Sequence, residues 1–144
     1  MSINWEELDF KPADFACKCG QCNGEMRMKP EVILAVQELK DALPDSFDFV
    51  ISSAHRCASH PIEAAKIAAG NKPGAHNTGM AVDIVCAGAD AQDLIGAAME
   101  QGFWTAYGVS QKGAWNKRFV HLDAIPQKGL AGYEQLRRPA LWSY

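Results

Sequence analysis

The stretch Pro73-Gly74-Ala75-His76-Asn77-Thr78-Gly79-Met80-Ala81-Val82-Asp83-Ile84 decides how this chain is read. It offers an imidazole and a carboxylate six residues apart, with a glycine between them where the backbone can turn sharply. Met80 to Cys86 follows as an apolar strand with the single charge Asp83 embedded in it. A buried, unpaired carboxylate is costly, so Asp83 needs a cation. A third donor stands in Arg118-Phe119-Val120-His121-Leu122-Asp123, which alternates as a half-buried strand does and puts His121 and Asp123 on one face. One histidine on a strand is more often a hydrogen-bonded polar residue than a ligand. Together, His76, Asp83 and His121 are a candidate ligand set for one metal, and their donor types suit zinc.

The elements around this set follow from pattern. Residues up to about Lys29 read as an irregular, cysteine-containing N-terminal arm anchored by Trp5, Leu8 and Phe15. Pro30 then suits a first helical turn, Val32, Val36, Leu39 and Leu43 make one apolar stripe, and Pro44 ends the helix. Phe47 to Ser53 alternates and is read as the first core strand, delivering His55 and Arg56 at its end. Ser59 to Ala69 reads as a short helix with Ser59 as cap and Gly70 as stop. Asp90 is the expected N-cap of a further helix, with Leu94, Ile95, Ala98 and Met99 buried and Gly102 at its end. Tyr107 to Ser110 and Phe119 to Asp123 read as two strands joined by the loop Gln111 to Lys117. The tail after Pro126 is expected to wrap back through Leu130, Tyr133, Leu136 and Trp142. With no linker or repeat, this predicts one α+β domain over 1–144: a small, mostly antiparallel sheet with helices on one side and the site on the open face.

His76, Asp83 and the strand-borne His121 resemble the zinc D-alanyl-D-alanine carboxypeptidase family, which includes phage peptidoglycan endopeptidases and shares its fold with the hedgehog signalling domain. Other segments are similar too. Ile51-Ser52-Ser53-Ala54-His55-Arg56-Cys57 resembles the family's strand ending in an arginine, and Tyr107 to Gly113 with Arg118 to Asp123 resembles its last hairpin. Arg138 to Tyr144 resembles the C-terminus of small phage-type members. The resemblance implies a zinc metallopeptidase that hydrolyses an amide bond in the peptide stem or cross-link of bacterial peptidoglycan, endolysin-like or D-Ala-D-Ala carboxypeptidase-like. It implies one catalytic Zn2+ on His76, Asp83 and His121 with a fourth position for water. Arg56 is the candidate for a substrate carboxylate or a developing oxyanion, and its family position lifts it above an ordinary surface ion pair. Trp115 is a candidate substrate contact. His55 and His60, which flank Arg56, are read as polar residues outside the site.

Two positions depart from the family pattern. Gly74 stands where relatives commonly carry a serine two residues before the first zinc histidine. Arg118 stands where many carry an acid three residues before the last one. Asp123 projects from the same face as His121 and is the candidate general base, its alternative role being to orient a ligand or Arg56. A different class of function is a catalytically inactive, zinc-containing binding module of the same fold, and a third is a purely structural zinc protein.

Composition bounds the rest. The chain has 144 residues, 48% of them apolar, enough for a core of its own. A net charge of −3 and no Lys/Arg run exclude a nucleic-acid field. No apolar stretch approaches the roughly 20 residues that span a bilayer, and Met1 to Leu8 is acidic where a secretory signal is basic, then apolar. The expectation is a monomer made in the cytoplasm without a signal peptide, reaching the wall after release or delivery by another factor. Five cysteines, Cys17, Cys19, Cys22, Cys57 and Cys86, make an odd set that argues against a complete disulfide framework. The reading favours free thiols over a second, structural ion at Cys17, Cys19 and Cys22, which would need a fourth ligand such as Cys57.

Overall fold

The computed structural model describes residues 2–144. Strands β1 (Val50–Ser53), β2 (Ala81–Val85), β3 (Ala106–Ser110), β4 (Phe119–Asp123) and β5 (Ala140–Ser143) form one sheet in the order β1-β2-β4-β3-β5. All pairs are antiparallel except β3 with β5. Four helices accompany it: α1 (Pro12–Phe15), α2 (Pro30–Asp41), α3 (Pro61–Ala68) and α4 (Ala89–Gln101). This is the α+β architecture expected, with a mostly antiparallel sheet.

The pleat sorts the side chains onto two faces. Val82, Ile84, Val120 and Leu122 point into the core, where Val32, Ile33, Val36 and Leu39 of α2 and Leu94 and Ala98 of α4 meet them. Each such side chain, once out of water, contributes about 1.5–3 kcal/mol. The opposite face carries a single row across all five strands. Ser53 pairs with Asp83, Asp83 with His121, His121 with Gly108, and Gly108 with Trp142. A one-residue slip of β2 or β4 would turn Asp83 or His121 into the apolar core, so core packing sets the register of the site.

The element ends show where local signals were overridden. α2 starts at Pro30 as expected and stops at Asp41, leaving Leu43 just beyond it but still buried. The first strand is shorter than Phe47 to Ser53, because Phe47 and Phe49 leave the ladder to join an aromatic cluster with Phe10 and Phe15. The N-terminal arm is therefore part of the body: Phe15 is fully buried at the end of α1, and Trp5 stacks beside it at 6.0 Å. α3 is capped by His60, whose Nδ1 accepts from the Ile62 amide at 3.2 Å, and not by Ser59. α4 takes Gly88 as its N-cap, which leaves Asp90 in the first turn, where the helix dipole favours a carboxylate. The tail does more than wrap back, since Ala140–Ser143 adds β5 to the sheet edge and brings Trp142 into the row.

Candidate active site

His76 arrives on a 3-10 turn, Ala75–Thr78, that ends at Gly79. Gly79 adopts φ +76, a left-handed conformation that glycine takes without strain, and a Cβ there would collide with the Arg27 carbonyl. The Thr78 hydroxyl donates to the Ala75 carbonyl at 2.6 Å and accepts from the Met80 amide at 3.0 Å, closing the turn directly onto β2. Asp83 and His121 then face one another across the β2 and β4 ladder. The His76, Asp83 and His121 donor atoms all lie within 4.8 Å of one another, and all three residues are buried.

Hydrogen bonds decide which ring nitrogens face inward. His76 Nδ1 lies 2.7 Å from the Ala54 carbonyl, which can only accept, so Nδ1 carries the proton and Nε2 presents its lone pair toward Asp83 Oδ1 at 3.2 Å. His121 Nε2 lies 2.8 Å from Asp123 Oδ2, which leaves Nδ1 toward the same Asp83 Oδ1 at 3.0 Å. In a tetrahedral zinc centre with ligands at about 2.0–2.2 Å, two donors sit roughly 3.3–3.6 Å apart. Asp83 Oδ1 is already gathered against both nitrogens at close to that spacing. The donor set fits one zinc ion, His76 Nε2, Asp83 and His121 Nδ1 being the atoms that would hold it.

Two carboxylates and two imidazoles set one another's charge here, and the two histidines lean in opposite directions. Burial opposes ionisation of Asp83, but the His121 and His76 rings beside it outweigh burial and hold its pKa well below the usual carboxylate range. Burial pushes the His76 pKa down and keeps it neutral, as a ligand must be. Burial also acts against a charge on His121, yet Asp123 and Asp83 together raise its pKa, so a metal at Nδ1 would have to displace a proton. Asp123 is held low against its own burial by His121 and Arg138.

Asp123 itself stands behind the site. It is fully buried, Arg138 grips it through Nε at 2.8 Å and Nη2 at 2.6 Å, and His121 takes one of the same oxygens. Both oxygens of the expected general base are occupied, and Asp123 is not among the residues lining the cavity. The second role considered for it, holding His121, is the one its contacts match.

In front of the three donors opens a cavity of about 790 Å³. Arg56 lines it with its Nε bonded to Ser53 Oγ at 3.0 Å and Nη2 3.5 Å from Asp83 Oδ2, so one edge of the guanidinium is fixed and the remaining N–H groups are available. Lys66 of α3 also lines it, 3.6 Å from the buried Glu63 carboxylate, whose other oxygen accepts from the Gly74 amide at 2.8 Å. A Cβ at Gly74 would collide with Lys66 Nζ, so the lysine ammonium occupies the space a larger residue at 74 would need. Trp142 and Tyr144 form an aromatic wall, with Trp142 5.1 Å from the His121 ring and seated over Gly108, where any side chain would strike the indole. Trp115 is not there. It is 64% exposed, packs against Gly88 and lies under the Arg118 guanidinium at 4.8 Å, away from the cavity. Trp115, the expected substrate contact, thus lies outside the cavity, whose aromatic wall is Trp142 with Tyr144. His55 is buried against Glu25 and His60 caps α3, so neither joins the donor set.

Sequence analysis gave Lys66, Arg138, Trp142 and Tyr144 no place at the site, although it expected Trp142 to hold the tail and matched Arg138 to Tyr144 to a family C-terminus. Gly74 was the available signal for Lys66, since a missing side chain near a site invites a neighbour into its place. A family model described as Peptidase M15 matches residues 8–123, most of the chain. No curated protein and no solved structure matches it.

Proposed function

The chain belongs to the peptidase M15 family, and on that premise we propose that it hydrolyses an amide bond in the peptide stem or cross-link of bacterial peptidoglycan, in the manner of an endolysin or a D-Ala-D-Ala carboxypeptidase. M15 peptidases are zinc metallopeptidases, and the single observation that carries the reading is the buried His76, Asp83 and His121 set at the floor of an open, cation-lined cavity. Zinc held there supplies Lewis acidity toward a scissile carbonyl and makes water a nucleophile near neutral pH.

The chain's own residues supply the rest. Arg56 is anchored on one edge and offers its free N–H groups to a carbonyl oxygen as charge develops on it, or to a substrate carboxylate. Lys66 adds a second positive group on the α3 side, suited to the carboxylates of a peptidoglycan stem. Trp142 and Tyr144 present flat apolar surface against which a short peptide can lie. Asp123 is a positioning residue: with Arg138 it holds the His121 ring so that Nδ1 faces the metal position. Peptidoglycan peptides are the proposed partner, met by a monomer that another factor delivers to the wall.

A second reading, a metal-holding binding module without turnover, draws on one observation. Among the described residues, Asp83 is the single carboxylate lining the cavity, so no separate acid stands ready to accept a proton. Digestion of purified sacculi followed by mass spectrometry of the muropeptides separates the two. The proposal expects fragments cut at one stem-peptide bond, abolished by His121→Ala. Sacculi left intact by the zinc-loaded protein, while muropeptides still bind it, would establish the module.

A further inference from the structure

We propose that Cys17, Cys19, Cys22 and Cys57 bind a second zinc ion, structural and fully enclosed by thiolates. Their four Sγ atoms lie within 4.8 Å of one another. The separations are 3.6 Å for Cys17 to Cys57, for Cys19 to Cys22 and for Cys19 to Cys57. A disulfide requires about 2.05 Å, whereas a tetrahedral zinc with bonds of about 2.3 Å places its sulfurs roughly 3.8 Å apart. The observed spacing is that of a tetrahedron's edges, and all five cysteines of the chain are free.

Local backbone geometry supports the same ion. Three amides donate to sulfur, Gln21 to Cys19, Glu25 to Cys22 and Cys57 to Cys17, each at 3.4 Å. Such N–H donors stabilise thiolate charge. The turn between the cysteines uses Gly20 at φ +77, Asn23 at φ +54 and Gly24 at φ +72, left-handed positions that bend the backbone on either side of Cys22. Cys17 and Cys57 are buried and Cys19 and Cys22 half-buried, so the four sulfurs are largely screened from solvent. Sequence analysis preferred free thiols because Cys57 could serve as fourth ligand only if the fold brought it close, and the fold does so across 40 residues.

The second ion would brace the first. Segment 54–57 carries the Ala54 carbonyl that fixes the His76 tautomer, and the Arg56 amide that donates to the His76 carbonyl at 3.1 Å. It also carries Arg56 itself and ends at Cys57. On its other side the His55 amide donates to the Phe15 carbonyl at 3.1 Å, next to Cys17. A zinc tying Cys57 to residues 17–22 thus clamps the segment that aims both His76 and Arg56.

The test uses the full chain with His76 and His121 both changed to Ala, prepared under reducing conditions with zinc and, separately, with cobalt. The proposal expects one equivalent of zinc per folded chain and, with cobalt, thiolate-to-metal charge-transfer absorption of a tetrahedral site. A folded variant holding no metal, or cobalt without that absorption, or iron in place of zinc, overturns it. Should the variant fail to fold, the cobalt-loaded wild-type chain gives the same readout, its thiolate absorption supporting the site and the lack of it overturning the site. Because the variant lacks the first set of donors, this outcome is independent of whether His76, Asp83 and His121 form a catalytic centre.

Discussion

At Asp123 two roles compete for one carboxylate, and its partners choose between them. A general base must reach a proton in the cavity, but this side chain spends one oxygen on Arg138 and shares the other between Arg138 and His121. In Asp123→Asn the amide NH2 cannot accept from the guanidinium, so a buried cation loses half of its bidentate partner. Losing the support of a metal-ligating histidine typically weakens metal binding 10–100-fold. Zinc titration should therefore show Asp123→Asn binding about 10–100-fold more weakly, with turnover recovering as zinc is raised. Zinc bound at wild-type affinity alongside a loss of about 10²–10⁴-fold in turnover would return Asp123 to the role of base. The same scale shows what sequence can and cannot disclose. His76, Asp83 and His121 were legible because their donor types stand at spacings a turn and two strands can use. Arg138 was not, because its partnership with Asp123 depends on a tail crossing back over the sheet.

Elements position these residues through register. The row from Ser53 to Trp142 exists because four ladders align, and Gly108 is its open link: the Trp142 indole lies where a side chain at 108 would be. Gly108→Ala forces the ring, and with it the edge strand β5, away from the sheet. Overpacking of this kind costs typically 1–3 kcal/mol. Denaturant unfolding should show a loss in that range, together with reduced hydrolysis, since the aromatic wall of the cavity moves. A variant as stable and as active as wild type would show that Trp142 has no part in the site. Strand β4 was readable to the residue because Phe119 to Asp123 alternates cleanly with both faces committed. β5 was not, because a four-residue edge strand with exposed Leu141 carries too short a pattern to distinguish from a wrapped tail.

For the whole molecule, two metal positions flank one segment, so metal and fold are linked. A ligand at a thousand times its Kd adds about 4 kcal/mol to stability, worth roughly 10 °C in Tm for a chain of this size. Calorimetry of the zinc-loaded protein before and after chelation should show a fall on that order for each ion removed. An unchanged Tm would mean that neither donor set holds zinc tightly. The fold class was legible because helix stripes and strand alternation agreed along most of the chain. The Cys17 to Cys57 contact and the placement of Lys66 beside Gly74 were not, since both are made by distant elements meeting, which no local pattern encodes.

An open zinc centre on His76, Asp83 and His121 would show itself in a crystallographic anomalous difference map recorded at the zinc edge on the metal-loaded protein. The expected result is a peak bonded to His76 Nε2, Asp83 and His121 Nδ1, with its remaining coordination open to the cavity lined by Arg56 and Lys66. No peak between those three residues, or a peak closed by a fourth protein ligand, would contradict it.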